Sequence, residues 1–105
     1  MAALDPTIGH EQGKTRPCII VSADEAGAIQ RYPLVALVPL TGTPLTGPLY
    51  PRLPRGTAGL LKDSWALTDQ VRTADKIRIR GLLGDVPASQ MADINRALRF
   101  FLGLD

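Results

Sequence analysis

A chain of 105 residues, 45% hydrophobic and 21% charged, is long enough for one domain around one modest core and too apolar to be disordered. Its formal net charge of +2 excludes a protein that coats duplex nucleic acid. The charge is uneven, because Arg52, Arg55, Lys62, Arg72, Lys76, Arg78 and Arg80 are set against only Asp63, Asp69 and Asp75. Such a face suits a polyanion touched at a few phosphates, although solvated surface is the plainer reading of charge alone.

The elements read as follows. Leu4 to Pro17, LDPTIGHEQGKTRP, is expected to be a loop, and turn geometry explains its Gly and Pro but not His10, Glu11, Gln12 or Arg16. PCIIVS, Pro17 to Ser22, is a β-branched strand that buries Cys18 as a small hydrophobe. Ala23 to Pro33 is a loop, and LVALVPLT, Leu34 to Thr41, is a second buried strand, with Pro39 arguing for an edge or a bulge. The next stretch, with Pro44, Pro48, Pro51 and Pro54 among Gly42, Gly47, Gly56 and Gly59, is expected to be turns and irregular edge. Ser64 to Leu67 ends a strand, and Lys76 to Leu83 alternates Ile77 and Ile79 with Arg78 and Arg80 as a half-buried strand does. From Pro87 the period changes: Met91, Ile94, Ala97, Leu98, Phe101 and Leu102 mark one face of a helix that Gly103 stops. One domain, 1–105, results: a mainly β small antiparallel sheet or barrel with a C-terminal α-helix.

No basic start followed by an apolar stretch marks a secretory signal, and no apolar run approaches the ~18 residues of a membrane span. With a single cysteine, an internal disulfide is excluded, so a reduced, cytoplasmic protein without a membrane partner is expected. One histidine and one cysteine do not make a zinc site, and GxxxxGK(S/T), GxSxG and GxGxxG are absent. No metal or cofactor is therefore expected. Cleavage of RNA needs neither, because the 2′-OH is the nucleophile and the protein supplies only a base, an acid and a cation. His10 or Glu11 is a candidate base, Arg16 offers fixed donors to phosphate oxygens, and Thr41 offers a hydroxyl at a strand end.

Several stretches, in order, resemble the MazF/PemK/Kid toxins. DPTIGHEQGKTRPCIIVS is similar to the family's DPTxGxEQxGxRP and following strand, and VALVPLTGTP to its strand ending in Pro-x-Thr-Ser. LTDQVRTAD and KIRIRGLLGDV resemble its acidic-Gln-x-Arg-Thr stretch and next strand, and Leu102-Gly103-Leu104 its tail. The resemblance implies a homodimeric SH3-like barrel with a terminal helix, acting as the toxin of a type II toxin–antitoxin module. The implied activity is metal-independent, sequence-specific cleavage of single-stranded mRNA, leaving a 2′,3′-cyclic phosphate and a 5′-OH. The implied partner is a MazE-like antitoxin with an acidic, largely disordered tail.

Carried onto this chain, the family's arginine falls on Arg16 and its threonine on Thr41, with His10 and Glu11 beside them as catalytic candidates. RNA contacts are expected from Gln12, Gly13, Lys14, Gly42, Thr43, Asp69 and Gln70. Lys14, Arg52, Arg55 and Lys62 fit phosphate contacts but read more simply as solvated surface, and Trp65 more simply as core than as a stacking platform. Three positions depart from the family: Gly42 stands where many members have Ser, and Leu67 where some have Arg. Only Met1 to Leu4 precede Asp5, where members carry a strand like RGDIVWVDL, so the first strand is expected to be truncated. Two alternatives follow: a non-catalytic, CcdB-like binder of a topoisomerase, or an inactive toxin that still binds its antitoxin.

Overall fold

The computed structural model describes residues 7–11, 16–21, 34–75 and 78–104. Seven strands form one antiparallel, curled sheet: β1 (Thr7–Glu11), β2 (Pro17–Ile20), β3 (Leu34–Thr41), β4 (Arg52–Leu53), β5 (Ser64–Ala66), β6 (Arg72–Asp75) and β7 (Ile79–Asp85). One helix, α1 (Ala88–Leu102), follows them. The order is β4-β5-β3-β2-β1-β7, with β6 also paired to β3.

The curl originates in β3. One edge pairs with β2, Cys18 opposite Pro39 and Ile20 opposite Leu37. Its other edge is shared, with β6 covering Leu34 to Leu37 and β5 covering Leu40 and Thr41. Pro39 therefore lies inside the sheet, not at the expected edge. Its carbonyl accepts the Leu67 N–H at 2.9 Å, so its nitrogen faces the same side, in the interval between the two registers. A missing N–H costs no ladder bond there.

Alternation splits the strands between two faces. Ile8, Ile19, Val38, Leu40, Leu53 and Ala66 join Met91 and Ile94 of α1 in the main core. Cys18, Leu37 and Ala74 form a smaller cluster with Ile79. Cys18 is buried as expected. Gly103, at φ 72°, closes α1: the Leu104 N–H reaches the Arg99 carbonyl at 2.8 Å and the Gly103 N–H that of Phe100 at 3.4 Å. Pro87 stands just before the helix rather than in its first turn, and its carbonyl accepts the Met91 N–H at 2.9 Å. The buried stripe stops at Leu98, while Phe101 and Leu102 are 45% and 52% exposed.

Two further expectations are corrected. Thr7–Glu11 is a strand, not part of a loop, because β2 and β7 flank it and supply ladder partners on both sides. The strand expected over 76–83 begins at Ile79 and runs to Asp85, and Arg72–Asp75 forms a strand of its own against β3. Lys76 and Ile77 lie outside the described residues.

Candidate active site

A cavity of about 650 Å³ opens where the start of β2, the end of β3 and the 59–64 segment meet. Arg16 and Thr41, twenty-five places apart in the sequence, line it together, with Gly42, Thr43, Lys62 and Ser64. Thr41 reaches this position as the last residue of β3, paired with Trp65 of β5. It is 8% exposed, and its Oγ1 accepts the Thr43 N–H at 3.2 Å. The hydroxyl proton therefore stays available to an anionic oxygen.

Electrostatics favour an anion. Arg16 and Lys62 are exposed cations, and among the described residues no lining residue is a carboxylate and neither cation has an acidic partner. Asp63, adjacent to Lys62, is engaged elsewhere: it accepts the Arg55 backbone N–H at 2.8 Å and Arg52 Nη2 at 2.9 Å. Those two contacts, the Arg55 N–H first, hold its carboxyl below the usual range. A unit charge about 4 Å from a cation near a protein surface is attracted by about 4 kcal/mol before salt screening. Among the described residues the charge lining the cavity is therefore positive, which favours an oxyanion such as phosphate over a cation.

The other expected residues divide. Gly42 and Thr43 line the cavity. His10 lies in β1 opposite Pro17, the neighbour of Arg16, and opposite Arg80 across a bulge; Glu11 lies opposite Ile79. The side chains of His10 and Glu11 lie outside the described residues, as do Gln12, Gly13 and Lys14 entirely. Asp69 and Gln70 belong to a separate 3₁₀ turn, Thr68–Gln70, and do not line the cavity. There the Tyr50 hydroxyl donates to Asp69 Oδ2 at 2.7 Å, and that bond pushes the Tyr50 pKa up. Arg52 belongs to the Asp63 ion pair, and Trp65 is half-buried.

Tyr50 has no part in the sequence reading, and Lys62 enters it only as a possible phosphate contact that reads more simply as solvated surface. Lys62 was one cation among seven in a basic stretch, and nothing in its spacing distinguished it. Tyr50 sat in a Pro- and Gly-rich segment with no periodicity to place it.

The chain matches the family model of the PemK-like, MazF-like toxin of type II toxin–antitoxin systems over residues 1–102. It is 31% identical to the endoribonuclease MazF of Staphylococcus epidermidis over 105 residues, covering all of this chain and 88% of that one. The corresponding protein of Staphylococcus saprophyticus is 32% identical over 104 residues, 99% of this chain and 87% of the relative. Among solved structures, a mycobacterial endoribonuclease in complex with its cognate antitoxin superposes with a TM-score of 0.84 at 26% identity, over 97% of this chain and 96% of the other. The MazE–MazF complex of Deinococcus radiodurans shares the fold, with a TM-score of 0.78 at 21% identity over 100% and 99% of the two chains. From its sequence match and its curled sheet with one terminal helix, the chain belongs to the PemK-like, MazF-like toxins of type II toxin–antitoxin systems.

Proposed function

We propose that this chain is a metal-independent endoribonuclease toxin that cuts single-stranded RNA at a short sequence. The observation that carries the reading is the meeting of Arg16 and Thr41 in one cavity that Lys62 also lines. In the proposed step the 2′-oxygen bonds to phosphorus and the bond from phosphorus to the 5′-oxygen breaks. His10 or Glu11 takes the 2′-OH proton, and the departing 5′-oxygen gains one, leaving a 2′,3′-cyclic phosphate and a 5′-OH. The Arg16 guanidinium stabilises charge on the crowded phosphorane, where planar, paired donors match two oxygens. Thr41 positions the phosphate with its free hydroxyl proton.

Gly42 and Thr43 lie along the path of the strand through the cavity. Gln12, Gly13 and Lys14 are assigned to RNA contact by the family pattern. Gln70, exposed on its own turn, is assigned to a neighbouring nucleotide, with Asp69 beside it holding Tyr50. The relatives solved with antitoxins support a MazE-like antitoxin as partner, and the family resemblance implies an acidic tail that competes for the same cations and a homodimer as the working form.

The test is incubation of the purified protein with a long unstructured RNA in EDTA, with ends mapped by primer extension and termini checked for 5′-hydroxyl. Discrete cuts with 5′-OH ends are expected. Intact RNA, or 5′-phosphate ends, sinks the mechanism.

A further inference from the structure

Gly42 is an unexplained glycine. Its φ is not among the positive ones, so the backbone does not require the residue. What glycine provides is space. A Cβ built on it would lie 2.8 Å from Lys62 Cε and 3.0 Å from Lys62 Nζ. A 2.8 Å contact does not occur between real atoms, so a side chain at 42 makes the flexible Lys62 head swing out of the space over Gly42 that it now occupies.

The segment around Lys62 is fixed on both sides. Its carbonyl accepts the Ser64 hydroxyl at 3.2 Å, and Ser64 is buried. Asp63 is clamped by Arg52 and the Arg55 N–H, which takes the nearest carboxylate away from the ammonium. Lys62 thus projects over Gly42 with its charge uncompensated among the described residues.

We propose that Lys62 binds a non-bridging oxygen of the scissile phosphate, beside Arg16 and Thr41, and that Gly42 is the residue that admits it. The assignment deepens the ribonuclease reading and rests on it.

The test compares the native chain, Lys62→Ala, Lys62→Arg, Gly42→Ala and the Gly42→Ala/Lys62→Ala double variant. Single-turnover cleavage of one RNA is measured across a salt series, with a thermal melt of each protein. Lys62→Ala is expected to melt as the native chain does, to lower kcat/KM about tenfold, as loss of a charged hydrogen bond would, and to flatten the salt dependence by about 0.7 in logarithmic slope. Lys62→Arg restores most of the rate and the slope. Gly42→Ala reproduces the Lys62→Ala loss, and the double variant is no worse than either single one.

Native rate and slope in Lys62→Ala overturn the assignment, as does a rate loss with unchanged slope that arginine does not rescue. Native behaviour of Gly42→Ala beside an impaired Lys62→Ala overturns the role given to Gly42. These results leave the ribonuclease reading intact, since the native chain still cuts. A native chain that leaves the RNA whole at every salt concentration overturns that reading, and the Lys62 assignment with it.

Discussion

The Tyr50 hydroxyl donates to Asp69 Oδ2 at 2.7 Å, tying the Pro-rich 44–54 segment to the 3₁₀ turn after β5, while Asp69 Oδ1 is buried with no partner. A second tie runs parallel, from the Thr68 hydroxyl to the Leu49 carbonyl. Both cross nineteen positions of sequence, so two side chains pin the segment ahead of the β4–β5 ladder that holds Arg52 and Leu53. Tyr50→Phe removes the donor and leaves the carboxylate without it. The variant is expected to melt at a lower temperature than the native chain; an unchanged Tm contradicts the tie.

The same bond has a pH signature. The hydrogen bond to Asp69 stabilises the protonated phenol and raises its pKa above 10.0. A group whose pKa is raised on folding contributes stability that is fully present below the unfolded value and lost as pH rises through the folded one. The difference in stability between the native chain and Tyr50→Phe should therefore be flat below pH 10.0 and shrink above it. Denaturant melts along a pH series check this, and a difference that grows with alkalinity rules it out.

Arg16→Ala should abolish most cleavage without unfolding the protein. Arg16 is exposed and makes no ion pair among the described residues, so little stability depends on it. Loss of one preorganised donor to a phosphorane costs about 100-fold or more in rate. Arg16→Lys keeps the charge but not the planar pair of donors, and should recover only part of that loss. Single-turnover rates decide, with circular dichroism to confirm the fold. Cleavage by Arg16→Ala at the native rate removes Arg16 from the mechanism.

How much of this was legible beforehand depends on where each residue's conformation is decided. The helix was readable because the spacing of Met91, Ile94, Ala97 and Leu98 encodes its buried face locally, and β2 and β3 because their apolar runs admit little else. Arg16 and Thr41 were readable through motifs, and the fold then put them in one cavity. β1 was not: Thr7–Glu11 lies between turn residues, Asp5-Pro6 and Gly13, and the sheet partners β2, next in sequence, and β7, distant in it, make it extended. Pro39 was misplaced because whether a missing N–H matters depends on which neighbour lies opposite, here none. Lys62 could not be told from Arg52 and Arg55 as a phosphate contact, because its position follows from Ser64, Asp63 and the space over Gly42. Phe101 and Leu102 follow the helical period yet lie beyond the buried stripe, which periodicity cannot report.

Thr41 separates chemistry from packing. Thr41→Val keeps shape and β-branching but removes the acceptor of the Thr43 N–H and the proton offered to phosphate. About 1 kcal/mol of stability should be lost, the usual net worth of one such bond, with a fall of about tenfold or more in the single-turnover rate. Thr41→Ser retains the hydroxyl and should keep most activity. If valine cleaves as well as serine does, the hydroxyl has no part in holding the phosphate.

The wall of the cavity is held from outside by a close backbone approach. A Cβ on Gly84 of β7 would lie 3.0 Å from the Ala58 carbonyl oxygen and 3.1 Å from its carbon. Those are backbone atoms of the turn that carries Gly59 and Leu60 into the cavity, and they do not swing aside as a side chain would. Ala58 itself has φ 50°, the left-handed region that costs a non-glycine residue about 1–2 kcal/mol. Gly84→Ala should therefore displace this turn, lowering stability by about 1–3 kcal/mol and slowing cleavage although residue 84 does not line the site. Ala58→Gly relieves the strained φ and gains about 1 kcal/mol at most, because glycine also gives the unfolded chain more freedom. Urea midpoints for the two variants give the comparison. Equal midpoints for Gly84→Ala and the native chain would mean the turn yields freely, and the cavity wall is then no fixed part of the site.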